Sequence, residues 1–107
     1  MPFSDAIIQQ VWEKGRTMFD QDGAIWRKDE CGAWMHRAQY GNEHSEYGWK
    51  IENVSVGGPD IVENLRPFHR QNIFDTANHR AKCHVTADRT GLGAREHIKE
   101  PRLWVYY

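Results

Sequence analysis

Glu52, His69 and Asn72 are the side chains of this sequence best suited to divalent-ion chemistry: a carboxylate, an imidazole and an amide. Brought together, they would hold a cation that stabilises charge building on a phosphate, and would give magnesium- or manganese-dependent nicking. Beside Glu52 stands Asn53, whose amide offers one carbonyl acceptor and two donors but does not titrate near neutral pH. Such a group orients water without removing its proton. Arg66, Arg70, Arg80 and Lys82, with His69 and His79, add cations suited to phosphates or to an acidic protein surface. A single histidine on a helix is nevertheless more often hydrogen-bonded than metal-bound.

These residues belong to an ordered series of short motifs. Trp12-Glu13-Lys14-Gly15-Arg16 is followed by Trp26-Arg27-Lys28-Asp29-Glu30-Cys31-Gly32-Ala33-Trp34 and by Tyr40-Gly41-Asn42-Glu43-His44-Ser45-Glu46-Tyr47-Gly48-Trp49. Lys50-Ile51-Glu52-Asn53-Val54, Gly57-Gly58-Pro59-Asp60 and Asn64-Leu65-Arg66-Pro67-Phe68 complete it. Over residues 12–86 the series resembles the small phage-type HNH endonucleases. That resemblance implies a ββα motif in which a hairpin carries an Asp-His pair and a later asparagine, and the following helix supplies the last metal ligand. It also implies a mechanism in which one divalent ion steadies the phosphate while the histidine activates water.

At the positions where the family keeps its chemistry this chain departs from it. The aspartate is replaced by Glu52, the histidine base by Asn53 and the helical ligand by Ile73. Loss of a general base costs about 10²–10⁴-fold in rate. Glutamate displaces the carboxylate by about a bond length in a site that tolerates only a few tenths of an ångström, and isoleucine binds no cation. Only Ser55 and Val56 separate Val54 from Gly57, where relatives have a longer phosphate-embracing loop. Asn64 is kept, and the resemblance gives it the architectural task of tying that loop to the backbone. The expectation is a degenerate nuclease with no catalytic residues, no metal and no cofactor.

The elements that must position these residues follow from pattern. Ser4 is the expected N-cap, and Ile7, Ile8, Val11 and Trp12 predict an amphipathic helix over residues 5–14. Residues 20–45 are irregular, with a short strand over 33–37 and a turn over 42–45. Trp49, Ile51 and Asn53 alternate with Lys50 and Glu52 as in a half-buried strand. Residues 57–60 form a loop, 65–68 resume the hairpin, and the family's fold requires a helix over about 70–81, where Ile73 and Phe74 would fill the former metal cavity. Residues 83–86 suggest another strand, and 87–107 a C-terminal strand extension ending in aromatics, among them Trp104 and Tyr106. The expected fold is α+β: one small domain over 1–107 built on an HNH-like ββα motif.

Composition bounds what such a domain can be. With 107 residues there is room for one core, and five Trp, four Tyr and four Phe supply large apolar area for it. No apolar run reaches the length of a membrane span, and Met1-Pro2-Phe3-Ser4-Asp5 lacks the features of a signal peptide, so the host cytoplasm is the expected compartment. Cys31 and Cys83 are read as reduced, buried thiols, with a disulfide between them as the lesser alternative. The net charge of −1 conceals an asymmetry: residues 1–65 carry six Lys/Arg against eleven Asp/Glu, and residues 66–107 carry eight against four.

A nuclease frame without its chemistry points to binding. The leading expectation is an inhibitor or adaptor of a nuclease or nucleic-acid-handling complex, plausibly a phage anti-CRISPR or other anti-defence protein acting by steric occlusion. Asp20, Asp22, Asp29 and Glu30 would enter a basic groove, and Trp104 and Tyr106 would serve as anchors. The alternatives are a sequence-nonspecific DNA-binding module using Arg66, His69, Arg70, His79, Arg80 and Lys82, and last a divergent metal-dependent nuclease.

Overall fold

The computed structural model describes residues 3–86. Helix α1 (Asp5–Trp12) begins where Ser4 Oγ accepts the Ile7 N–H at 3.2 Å, with Asp5 in the first turn favouring the positive end of the helix dipole. Its apolar stripe buries Ile8, Val11 and Trp12. The helix is the one the Ser4 signal and the apolar spacing predict, two residues shorter at its end.

Three hairpins follow, each between sequence neighbours and each antiparallel. They are β1 (Trp26–Lys28) with β2 (Trp34–His36), β3 (Trp49–Asn53) with β4 (Leu65–His69), and β5 (Ile73–Asp75) with β6 (Arg80–Lys82). Single turns of 3-10 helix at Arg37–Gln39 and Val62–Asn64 lead into the central pair. Among the described residues this makes a small mixed α/β domain with one α-helix and short antiparallel strand pairs.

The helix expected over 70–81 is absent, and with it the third element of the ββα motif. The local residues explain why. Ile73, Phe74, Asp75, Thr76, Asn78 and His79 are all indifferent or poor helix formers. Asp75 instead closes a turn, its Oδ1 accepting Ala77 N–H at 3.1 Å and its Oδ2 accepting Asn78 Nδ2–H at 2.8 Å. His79 completes the reversal at φ 53°, a left-handed conformation uncommon outside glycine and asparagine. Ile73 therefore pairs across to Lys82 and stays 37 % exposed, so it fills no cavity. Phe74 alone turns inward, against Phe68 and Val54.

Two apolar clusters hold the elements together. Ile8, Trp12, Met35 and Trp49 form one, with the Trp12 and Trp49 rings 5.1 Å apart at 48°, and Tyr40 edge-on to Trp49. The buried indole N–H groups are satisfied by carbonyls, Trp12 Nε1 by Gly23 at 3.0 Å and Trp49 Nε1 by Arg37 at 3.3 Å. Val54, Phe68 and Phe74 form the second, flanked by Cys31 and Ala81.

A covalent tie reinforces this second cluster. Cys31 and Cys83 form a disulfide across 52 residues of sequence, which corrects the reading of both as reduced, buried thiols, since Cys31 is half-buried and Cys83 exposed. Residues 83–86 are not a strand; they are held by this bond and by a polar bolt described below. The expected C-terminal strand, with Trp104 and Tyr106, lies outside the described residues.

Candidate functional site

The β3–β4 hairpin sets the register of the candidate site. Glu52 pairs with Arg66 and Asn53 with Leu65, so Glu52 and Asn53 leave the sheet where the chain enters the 54–64 loop. Gly57, at φ 68°, starts the reversal, and Gly58 packs so tightly that a Cβ would lie 2.4 Å from Ser55 Oγ and 3.0 Å from Asn64 Nδ2.

Asn53 is the clamp of that loop. Its Nδ2 donates to Gly58 O at 3.1 Å, Pro59 O at 3.1 Å and Asp60 Oδ1 at 2.9 Å, while its Oδ1 accepts Ser55 N–H at 2.8 Å. Asn64 Nδ2 joins it on Pro59 O at 2.9 Å, and the Asn64 carbonyl accepts Val54 N–H at 2.8 Å. Both amides thus face inward to hold backbone. A water molecule aimed at a phosphate would have to compete with these bonds.

The remaining candidates for ion chemistry are each engaged by other partners. Glu52 Oε2 lies 3.1 Å from Lys50 Nζ, and its Oε1 makes a long 3.5 Å approach from Phe74 N–H. His69 is buried at the end of β4; Nδ1 accepts Gln71 N–H at 3.1 Å and Nε2 lies 2.8 Å from Glu46 O, the pattern of an imidazole protonated on Nε2. Asn72 is fully buried, and both ends of its amide serve the fold. Nδ2 donates to Asp29 Oδ2 and to Val85 O, each at 2.9 Å, and Oδ1 accepts the N–H groups of His84 and Val85 at 2.7 and 2.8 Å. Among the described residues no three His, Cys, Asp or Glu side chains converge as a metal site would require.

Nor do the cations gather on one helix face. Arg66 projects from β4 to Glu30 at 2.9 Å and over the Phe74 ring at 5.2 Å. Arg70 Nε donates to Ser45 O at 2.7 Å. His79 rests edge-on against Phe74 in the β5–β6 turn, with Arg80 and Lys82 exposed on β6. Of the expected acidic face, Asp20, Asp22 and Glu30 are exposed but Asp29 is not.

Asp29, only 1 % exposed, is the residue that sequence reasoning most misplaced. Its Oδ1 accepts Cys31 and Ala33 N–H, and its Oδ2 accepts His69 N–H and Asn72 Nδ2–H, all at 2.9 Å. Four donors on one carboxylate make a buried junction between the β1–β2 turn, β4 and the segment carrying Cys83. The only signal in the sequence was an aspartate three positions before Gly32, which marks a turn but not its burial.

Two further features escaped the sequence reading. The loop after α1 carries Phe19, fully exposed between the half-buried Met18 and the exposed Asp20. It is anchored, because Gly23 O accepts from both Trp12 Nε1 and Arg27 Nε, and Asp22 Oδ1 accepts Ala24 N–H. The second is a cluster of cations around Lys14, whose ammonium donates to Val62 O and, at 2.8 Å, to Leu65 O. Partial burial holds the Lys14 pKa below its usual range, Glu63 opposes that shift, and the neighbouring Arg66 charge adds to it.

Comparison of the chain with family models, curated proteins and solved structures gives no match.

Proposed function

We propose that this chain is a non-catalytic protein, keeping a hairpin that resembles the HNH family's, that binds and inhibits, or adapts, a nuclease or other nucleic-acid-handling complex. A phage anti-defence inhibitor, such as an anti-CRISPR protein, is the specific form this takes. The observation that carries the reading is the inward commitment of Asn53: where the resembled family has a base, this chain has an amide whose donors hold residues 58–60 and whose acceptor holds Ser55 N–H, closing the 54–64 loop. Ile73, at the resembled ligand position, faces outward from a strand as hydrocarbon.

The binding half of the proposal draws on the 17–24 loop. An aromatic ring held fully in solvent on an anchored loop, with Asp20 and Asp22 beside it, combines an apolar anchor with negative charge. Acidic residues steer such a loop towards a basic, nucleic-acid-binding groove, and the ring gives the contact its specificity. Occlusion then needs only that the rigid domain sit where nucleic acid would.

The DNA-binding alternative has less support, since Arg70 is held by Ser45 O and Arg80 and Lys82 lie on a separate hairpin from Arg66. The divergent-nuclease alternative relies on Glu52, His69 and Asn72, each engaged elsewhere in the fold.

A partner of this class places the protein in the host cytoplasm. No helix of the described residues is long and apolar enough to cross a membrane. Thiol-reducing conditions there would open Cys31–Cys83, and the Asn72 bonds to residues 84 and 85 would then carry the clamp.

The test is capture of partners by the tagged chain from host lysate, with and without nuclease digestion, beside the variant F19A/D20K/D22K. A stoichiometric protein partner that survives digestion, disappears with the variant and loses its nuclease activity when bound is the expected result. Partners that vanish on digestion, or binding indifferent to the variant, would overturn the proposal.

A further inference from the structure

Where α1 ends, the chain turns through Lys14 and Gly15, and Arg16 joins the edge of β1 by two backbone bonds with Lys28, at 2.8 and 2.9 Å. Between this edge and β4 lies a cavity of about 410 Å³ walled chiefly by Lys14, Arg16, Lys28, Glu30, Arg66 and Pro67. That volume falls within the range of small-molecule sites, roughly 300–1,000 Å³.

The cavity's charge is unbalanced. Four cations line it with two carboxylates, and one of these, Asp29, is turned into the fold with both oxygens engaged by N–H donors. Glu30 pairs with Arg66, and Lys14, with Glu63 nearby, donates to the Val62 and Leu65 carbonyls. The Glu30–Arg66 ion pair is more than a third exposed on both sides, a setting in which such pairs are weak and readily exchanged. Arg16 reaches the carbonyls of Asp29 and Glu30 only at 3.3 and 3.5 Å, too long for strong bonds, so its guanidinium can turn to a better acceptor. Arginine and lysine converging on a pocket are suited to a phosphate, arginine by its bidentate fork and lysine as a point charge.

An aromatic face adjoins the cavity. Lys28 and Trp34 are cross-strand partners, as are Trp26 and His36, and these four side chains share the face of the β1–β2 hairpin opposite the buried Met35. Lys28, which also lines the cavity, places its Nζ 4.9 Å from the Trp34 ring centroid. A phosphate that draws Lys28 inward would uncover that ring. Trp34 is half-buried, and a tryptophan face beside a cationic groove is the combination that holds single-stranded nucleotides, the base by stacking and the phosphate by charge.

We infer that this cavity is a phosphate subsite and that Trp34 beside it receives a nucleobase, so that the site takes a nucleoside phosphate, either free or as one unit of a single strand. It is separate from the Phe19 loop and does not depend on a protein partner.

The experiment titrates the purified full chain, at low salt, with inorganic phosphate, ribose 5-phosphate, adenosine, adenosine monophosphate and a short oligothymidylate, followed by calorimetry and tryptophan fluorescence. Adenosine monophosphate is expected to bind about tenfold or more tightly than either ribose 5-phosphate or adenosine. R16Q/K28Q should weaken it by about tenfold, and W34L should erase its advantage over ribose 5-phosphate. An oligothymidylate that competes and binds more tightly assigns the phosphate to a strand; one that fails to compete assigns it to a free nucleotide. Amide shifts of the unaltered protein confined to residues 14–16, 28–30, 34 and 66 would support the site even where a variant fails to fold. Binding of none of the probes, shifts located elsewhere, or indifference to R16Q/K28Q in folded protein would overturn it, and equal affinity for ribose 5-phosphate and the nucleotide would remove the base from Trp34.

Discussion

Asn72 Nδ2 lies 2.9 Å from Asp29 Oδ2, joining two residues 43 positions apart in sequence inside a site closed to solvent. Around that bond the β1–β2 turn, the end of β4 and the segment carrying Cys83 become one unit. The hairpin that the HNH resemblance singles out is built against it, since His69 N–H donates to the same carboxylate oxygen.

Substitutions at this junction should therefore cost more than their small size suggests. Asp29→Asn puts an amide donor among four donors, and a loss of about 3 kcal/mol is expected from buried unsatisfied groups. Asn72→Ala leaves the N–H groups of His84 and Val85 without their acceptor, for about 2 kcal/mol. Urea unfolding midpoints of the two variants check both values, and a midpoint unchanged in Asp29→Asn would mean that the carboxylate is not buried.

The disulfide adds an independent constraint. Closing a loop of 52 residues' separation removes unfolded-state entropy worth about 4 kcal/mol in the chain-entropy account. Reduction should lower stability by roughly 2–4 kcal/mol yet leave a cooperative transition, because the Asn72 bolt remains. Unfolding curves with and without dithiothreitol, and mapping of non-reduced peptides for a Cys31–Cys83 link, measure this.

Much of this arrangement could be read from sequence only where pattern is local. Ser4 with Ile8, Val11 and Trp12 announces α1, and the alternation of Trp49, Ile51 and Asn53 announces β3, because capping and period act over a few residues. The stretch from 70 to 81 shows the opposite case. The resemblance demanded a helix, while Asp75-Thr76-Ala77-Asn78 carried a turn signature whose side-chain bonds prevail in the structure. At three residues each, β1 and β2 offer too few alternations to detect β1 at all. Asp29 and the Cys31–Cys83 pair depend on long-range meetings that no spacing along the chain encodes. Asn53 and Asn64 were legible as to type, but the loop-closing task of Asn53 emerges only from its bonds.

Gly48 marks a close approach that tolerates no side chain. A Cβ there would lie 2.0 Å from the Asn42 carbonyl oxygen, a backbone atom that cannot swing away. Gly48→Ala should displace the 41–48 loop that leads into β3 and destabilise the protein by about 2 kcal/mol, as overpacking does. Thermal unfolding of the variant tests this, with Gly41→Ala as a comparison in which the added methyl meets no atom but the φ of 76° is strained.

The β5–β6 turn should respond to acid. The Asn78 side-chain amide, followed by the Asn78 backbone N–H, holds the Asp75 carboxyl below the usual aspartate range. A depressed folded-state pKa gives stability that is present above the unfolded value, near pH 3.9, and is lost as pH falls through the folded one. Protection of the Ala77 and Asn78 amides relative to their intrinsic exchange should accordingly be highest at neutral pH and fall below about pH 4. Asp75→Asn should abolish that pH dependence.

The central claim is that the hairpin carrying Glu52 and Asn53 holds its own loop instead of a reacting phosphate. Incubation of supercoiled plasmid with excess purified protein in magnesium, and separately in manganese, tests it directly. The account predicts that the plasmid remains supercoiled, as in the protein-free control. Nicking that requires the divalent ion and disappears in Glu52→Gln would contradict it.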